Sequence, residues 1–340
     1  MTDALEVVDL VTVVGRGRRA ALVANGVSLR VGSGETVGLV GESGSGKTMM
    51  ALAVLRLLPP AARIRSGEIL VDGTDVTLLG ESELRRIRGA RVAMVFQDPM
   101  SSLTPTMSIG RQVAEAVRVH STLDRAGVEA RVEALLGLVG MPRPRERMRD
   151  YPHQLSGGQR QRVSIAIALA CNPTLLIADE PTTALDATIQ DQILRLLDDI
   201  QAQLGMAVLL ITHDLGVIAG RADRVAVMYA GRIVEEGTTD EIFYEPRHPY
   251  TRALLSSIPR VDEAGETLSA IPGTPPDPGA LPPGCAFAPR CTLASDVCGA
   301  EVPVLAGATA GSAHRAACHH PLPPGAGAPA AAGAPSGARA

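Results

Sequence analysis

Apolar and polar residues follow three different rhythms along this chain, and each predicts a different kind of element. From Val7 to Val14 and again from Val27 to Val31 the pattern alternates, which marks half-buried strands, with a basic turn at 15–19 between them. Thr36–Val40 is short and apolar, as a strand buried on both faces should be. It runs into the glycine-rich stretch Gly41–Gly46, and helical spacing over Thr48–Leu58 then predicts a helix stopped by Pro59 and Pro60. Strand, glycine loop and helix stand in the order that a phosphate site needs.

From Ser101 to about Ala170 the pattern is mostly helical, with Val113–Val119 and Val128–Leu138 as periodic segments, and it reads as a helical insertion. Beyond it, the apolar runs Leu175–Ala178, Ala207–Ile211 and Arg224–Tyr229 alternate with helices such as Thr188–Leu204, which predicts a largely parallel sheet. After Tyr250 the composition shifts. Prolines and glycines crowd Pro272–Pro283, and four of the five cysteines fall between Cys285 and Cys318. The expected layout is a large α/β domain over 1–250 with a helical subdomain at about 101–170, a small four-cysteine extension over 251–320, and a tail over 321–340. That tail is almost entirely Ala, Pro and Gly, too poor in apolar surface to offset the entropy of ordering, and is expected to be disordered.

Composition narrows the function classes. A chain of 340 residues that is 46% hydrophobic can bury one large core and an appendage. A net charge of −4 and a pI near 6.0 give no global positive field, so nucleic acid is not an expected partner. No apolar run reaches the roughly 18 to 20 residues needed to span a bilayer, and the opening MTDALEVVDL lacks the layout of a secretory signal. The expected compartment is the cytoplasm, where cysteines are better read as thiols or metal ligands than as disulfides. Of 32 basic residues only Lys47 is a lysine, which marks a position where arginine does not serve.

Lys47 closes the run Gly41-Glu42-Ser43-Gly44-Ser45-Gly46-Lys47-Thr48, a match to G-x-x-x-x-G-K-[ST]. Glycines let successive N–H groups converge on phosphate oxygens, and the ammonium adds a compact mobile charge worth roughly 4 kcal/mol against one phosphate charge at 4 Å and an effective dielectric of 20. Arginine's planar fork differs in size and geometry. Thr48 offers a hydroxyl to Mg²⁺. A second element is the strand Leu175–Ala178 ending in Asp179 and Glu180, two carboxylates at the carboxyl end of a strand, where open α/β sheets bind ligands. Asp179 is expected to hold Mg²⁺, and Glu180 to orient and deprotonate the attacking water.

Up to here any P-loop nucleotidase fits. The segment Leu155-Ser156-Gly157-Gly158-Gln159 resembles the signature of ATP-binding-cassette (ABC) proteins, and it lies between the helical insertion and the carboxylate strand, as in that family. The resemblance implies an α/β P-loop NTPase core of RecA-like, ABC type, with an antiparallel β subdomain, a helical insertion and a Cys-rich C-terminal extension. It further implies that Ser156, Gly157, Gly158 and Gln159 meet the γ-phosphate held by an opposite subunit. Gln97 matches the glutamine that contacts Mg²⁺ and the attacking water, Ala184-Leu185-Asp186 the loop that crosses the dimer interface, and His213 the switch histidine on the γ-phosphate. The family's adenine-stacking aromatic is missing, with Val14 in its place.

The wider wording, Gln97–Pro105, Tyr151–Gln154, Asp179–Asp186 and His248–Leu254, resembles the branch serving dipeptide, oligopeptide and nickel importers. That resemblance implies an ATPase subunit importing peptides, with nickel or another small solute as the alternative and a non-transport ABC ATPase as a more distant one. Its implied partners are a second ATPase subunit, two membrane permeases and, indirectly, an extracytoplasmic solute-binding protein. It would sit peripherally on the cytoplasmic face of the inner membrane. Cys285, Cys291, Cys298 and Cys318 lack the paired C-x₂-C knuckles of zinc ribbons, whereas iron–sulfur sites tolerate wider spacing. Related extensions are associated with a [4Fe-4S] cluster; zinc and metal-free thiols stay open.

Overall fold

In a computed structural model, residues 3–17, 20–98, 102–183, 185–257, 271–307 and 312–325 are described. The alternating N-terminal segments form β1 (Leu5–Val14) and β2 (Ala21–Val31). With β4 (Ala62–Val71) and β5 (Thr74–Asp75) they make an antiparallel sheet in the order β2-β1-β4-β5. One face of this sheet carries Leu5, Val7, Leu10, Val27, Leu29 and Ile69 into a shared core, which is why the pattern alternates.

The second sheet holds the continuous apolar runs: β3 (Thr36–Val40), β6 (Val92–Val95), β7 (Leu175–Asp179), β8 (Ala207–Thr212) and β9 (Arg224–Tyr229). They pair in parallel in the order β9-β3-β8-β7-β6. Every residue of β3, β7 and β8 is buried because the sheet is covered on both faces. In β7, Leu176 and Ala178 point into one apolar cluster and Leu175 and Ile177 into the other. The first cluster joins the sheet to the helices α3 (Ile109–His120), α4 (Arg125–Leu138), α6 (Gly157–Ala168) and α7 (Ala187–Leu204); α5 (Pro144–Arg147) is a single turn among them. The second joins it to the antiparallel sheet, to α1 (Lys47–Val54) and to α2 (Glu81–Ile87).

α1 is shorter than the periodicity predicts. It ends at Val54, and Arg56 takes a left-handed φ of 53° while its guanidinium donates to the carbonyls of Val76 and Thr77 at 2.9 and 2.6 Å. Those bonds turn the chain toward β4 before the prolines are reached.

The compositional shift near residue 250 is not a break in the packing. β10 (Arg232–Thr238) pairs antiparallel with β9 and with β12 (Arg315–Ala316), and β11 (Ala306–Gly307) completes an eight-stranded sheet. α8 (Leu215–Ile218) and α9 (Thr239–Tyr244) flank β9 and β10, and α10 (Pro249–Ser256) sends Tyr250, Leu254 and Leu255 into the first core beside Phe287. α11 (Asp296–Ala300) carries the buried Cys298. The wholly buried Glu235 accepts from the N–H groups of Arg247 and His248 and pairs with His314 Nε2 at 2.7 Å. Within the segment expected to be a tail from Pro321, Leu322 is buried and its N–H donates to Arg247 O at 2.8 Å, while 326–340 lie outside the described residues. Among the described residues no helix is long and apolar enough to cross a membrane.

Candidate functional site

β3 delivers the glycine run at the carboxyl edge of the parallel strands, and α1 leaves it with Gly46 as N-cap. Gly46 has φ 106°, and a Cβ there would lie 2.0 Å from Val23 O, so backbone of β2 sits where any other side chain would go. Lys47 is buried, and its Nζ donates to Gly41 O at 2.7 Å, Glu42 O at 3.0 Å and Ser45 Oγ at 3.4 Å. Burial lowers its pKa, while the charges of Glu180, Asp179 and Glu42 oppose that shift. The ammonium is therefore stored on the loop's own carbonyls, within a field that three carboxylates make favourable to a cation.

Thr48 Oγ1, one residue on, donates to Asp179 Oδ1 at 3.3 Å. Asp179 is the last residue of β7 and is buried; burial raises its pKa, with the Thr48 hydrogen bond working against that rise. A buried carboxylate beside a hydroxyl is the hard oxygen donor set that a divalent cation such as Mg²⁺ takes, and the cost of burying its charge falls when a cation neutralises it.

Glu180 gathers the rest of the site. Its Oε2 accepts from Gln97 Nε2 at 2.8 Å and from Thr183 Oγ1 at 2.9 Å, and Oε1 lies 2.9 Å from His213 Nδ1. Gln97 comes just after β6 and His213 just after β8, so neighbours of β7 on both sides aim a polar group at the same carboxylate. Burial pushes the Glu180 pKa up, but the hydrogen bonds from His213 and Thr183 and the nearby charges outweigh it and leave the group below the usual carboxylate range. Glu180 also holds a left-handed φ of 46°, a strained state for a residue with a side chain, typically costing about 1–3 kcal/mol and found where geometry serves function. Thr183 was visible in the sequence only as part of a run of threonines; the position that makes it a donor depends on the turn after β7.

Ser156 is exposed. It N-caps α6, its Oγ accepting from Gln159 N at 3.3 Å while Gln159 Oε1 accepts from Ser156 N at 3.0 Å, a closed capping box. Gly158 is required by packing: a Cβ there would meet Ile189 Cγ2 of α7 at 2.6 Å. Asp186 caps α7, accepting from Ile189 N at 3.0 Å, and Ala184 is outside the described residues. The start of the signature helix packs on the segment that follows the carboxylates, with a Cβ on Gly157 only 3.2 Å from Leu185 Cδ2. Val14 ends β1, paired with Ala21 and Ala62.

Cys285, Cys291, Cys298 and Cys318 line one small cavity together with His248, His319 and His320. All four carry free thiols, and burial pushes Cys318 up to about 11, helped by the other three. Among the described residues no group of three or more His, Cys, Asp or Glu side chains is arranged to hold a metal ion.

An α/β sheet with a phosphate-type loop, a carboxylate pair at the strand ends and a glycine-turn helix cap define a P-loop ATPase of cassette type. The family "ABC transporter" matches residues 24–183, and "Oligopeptide/dipeptide transporter, C-terminal region" matches 234–298. The oligopeptide transport ATP-binding protein OppD of Bacillus subtilis is 50% identical over 299 residues, 87% of this chain and 84% of that protein. The dipeptide transport ATP-binding protein DppD of the same organism is 52% identical over 274 residues, 80% of this chain and 82% of that one. Among solved structures, a dimeric ATP-binding cassette, MJ0796, in a post-hydrolysis state with ADP and Pi superposes with a TM-score of 0.62 at 28% identity, covering 69% of this chain and 98% of that one. The chain belongs to the ABC transporter family, in its branch of oligopeptide/dipeptide transporter ATP-binding proteins, and is an ATPase of that family.

Proposed function

We propose that this ATPase drives peptide import, and that its turnover rests on Glu180 as the base. The observation that carries this is the convergence of Gln97, Thr183 and His213 on one strained, ionised carboxylate. In this reading Gly41–Thr48 binds the phosphates of ATP, with Lys47 swinging from the loop carbonyls to the β- and γ-phosphates. Thr48, Asp179 and Gln97 would hold Mg²⁺, which would supply charge neutralisation at the phosphates. Glu180 takes the proton of the attacking water, and Gln97 and His213, already its partners, orient that water and sense the γ-phosphate.

In this reading the site is shared, the signature Ser156–Gln159 of one subunit completing the phosphate site of another, and Asp186 would line the seam. The similar cassette MJ0796 is dimeric with ADP and Pi, which supports a paired ATPase. The partner at the membrane is proposed to be a pair of permeases. An apolar groove lined by Leu57, Phe96, Val119 and Ile167 adjoins Gln97, and three of these side chains are exposed, so a permease segment seated there would touch the residue before Gln97. The chain would then act peripherally at the cytoplasmic face of the membrane. Peptide as the solute rests on the names and similarity of the relatives.

For the four cysteines we keep the [4Fe-4S] reading, with zinc as the alternative. The reading is supported by four thiols, three of them from one stretch and the fourth from beyond β11, that line one cavity. Its role would be to pin the C-terminal segment. Iron and zinc content of anaerobically purified protein decides it: four irons per chain support the cluster, and stoichiometric zinc or no metal overturns it. For the import reading, the chain is expected to co-purify with two permeases and to give ATPase activity stimulated by a peptide-loaded binding protein; stimulation by a nickel-loaded one instead would reassign the solute.

A further inference from the structure

Glu42, the second residue of the glycine loop, is held at three points. Its carboxylate takes a bidentate pair from Arg290, Nη1 to Oε2 at 2.7 Å and Nη2 to Oε1 at 2.9 Å. Its N–H donates to Tyr250 Oη at 2.8 Å, and its carbonyl accepts from Lys47 Nζ at 3.0 Å. Arg290 comes from 248 residues away, in the turn that ends directly before Cys291. It is itself locked: Nε donates to Pro272 O at 2.9 Å, Nη1 to Tyr229 Oη at 3.2 Å, and the guanidinium lies 5.8 and 5.9 Å from the ring centres of Tyr229 and Phe287. Its side chain is 4% exposed and that of Glu42 26%.

We propose that Arg290 is a positioning residue for ATP, fixing the phosphate loop and cancelling the charge of Glu42, so that the cysteine-bearing segment sets nucleotide affinity. The loop must receive a polyanion, and a carboxylate inside that loop opposes it unless a cation is tied to the same oxygens. A bidentate, packed guanidinium does this without reaching into the space for the phosphates. Tyr229, Tyr250 and Phe287 form one aromatic cluster around the pair, with centroids 4.5 to 5.3 Å apart, so a shift of the turn before Cys291 moves Glu42 rather than being absorbed by slack.

The inference rests on Gly41–Thr48 being the phosphate site. The test is MgATP binding and steady-state hydrolysis by the full chain, with melting curves to confirm folding. Arg290→Ala is expected to raise Kd and KM for MgATP about tenfold with kcat changed less than about twofold. Arg290→Lys, which keeps charge but not the fork, is expected to fall between and serves alone where Arg290→Ala does not fold. Glu42→Gln placed in the Arg290→Ala background is expected to restore Kd to within about threefold, because the opposing charge is gone; a role confined to fold stability predicts no such rescue. Unchanged affinity in Arg290→Ala or Arg290→Lys, a loss confined to kcat, or no rescue by Glu42→Gln overturns the proposal. Lys47→Ala serves as the control: if it binds MgATP normally, the phosphate-site reading itself fails, whereas lost binding there with normal binding in the Arg290 variants overturns this inference alone.

Discussion

His213 Nδ1 lies 2.9 Å from Glu180 Oε1, although the two residues are 33 positions apart and leave different strands of the sheet. The contact ties the proposed base to the proposed phosphate sensor. It predicts unequal losses. Glu180→Gln is expected to lower turnover by about 10²- to 10⁴-fold while ATP-dependent dimerisation persists, and His213→Ala to lower it less, since Gln97 and Thr183 still hold the carboxylate. Single-turnover hydrolysis and size-exclusion with ATP check both; undiminished turnover in Glu180→Gln would remove the base assignment.

Asp179 has its carboxylate pKa raised by burial, which has a stability consequence of definite sign. A raised acid pKa means the folded chain binds more protons than the unfolded one between the ordinary value of 3.8 and the folded value, so this group's contribution falls as pH rises through that window and stays unfavourable above it. Asp179→Asn is therefore expected to melt at or above the wild-type temperature at pH 7 without nucleotide, yet to show a smaller upward shift on adding MgATP. Differential scanning calorimetry with and without MgATP measures both; a variant that melts lower in the free state contradicts the account.

Lys47 fits a pocket made by the Gly41 and Glu42 carbonyls and Ser45 Oγ. Lys47→Arg keeps the charge but not the compact head, and is expected to weaken ATP binding by at least about tenfold, equivalent to about 1.4 kcal/mol. Titration with a fluorescent ATP analogue reads this directly, and equal affinity would mean that charge alone matters there.

Gly158 brings α6 against Ile189 of α7 at a distance where a Cβ does not fit. Gly158→Val is expected to cost about 1–3 kcal/mol by overpacking, and Ile189→Ala in the same chain to recover part of it. Urea unfolding midpoints of the single and double variants give the answer; additive losses would show that the two side chains do not compete for space.

The sequence by itself determined the local parts. Period-two strands, continuously apolar buried strands and the G-x-x-x-x-G-K-[ST] run are consequences of which faces are buried and which backbone angles glycine allows, and they are legible within ten residues. Asp179 and Glu180 could be named from their place at a strand end, whereas Gln97 and His213 were legible only through resemblance to the ABC family. What no local pattern carried was the company these residues keep. Thr183 becomes a donor to Glu180 only through the left-handed turn after β7, and Leu322 is buried with its N–H on Arg247 O although composition places it in an Ala/Pro/Gly tail. The composition change at residue 250 suggests a separable module, yet β12 extends the main sheet and Tyr250 fills its core, because sheet edges and apolar gaps are satisfied by whatever chain reaches them. Arg290 on Glu42 is the extreme case: a salt bridge leaves no periodicity, and only folding places two charges 248 residues apart on the same loop.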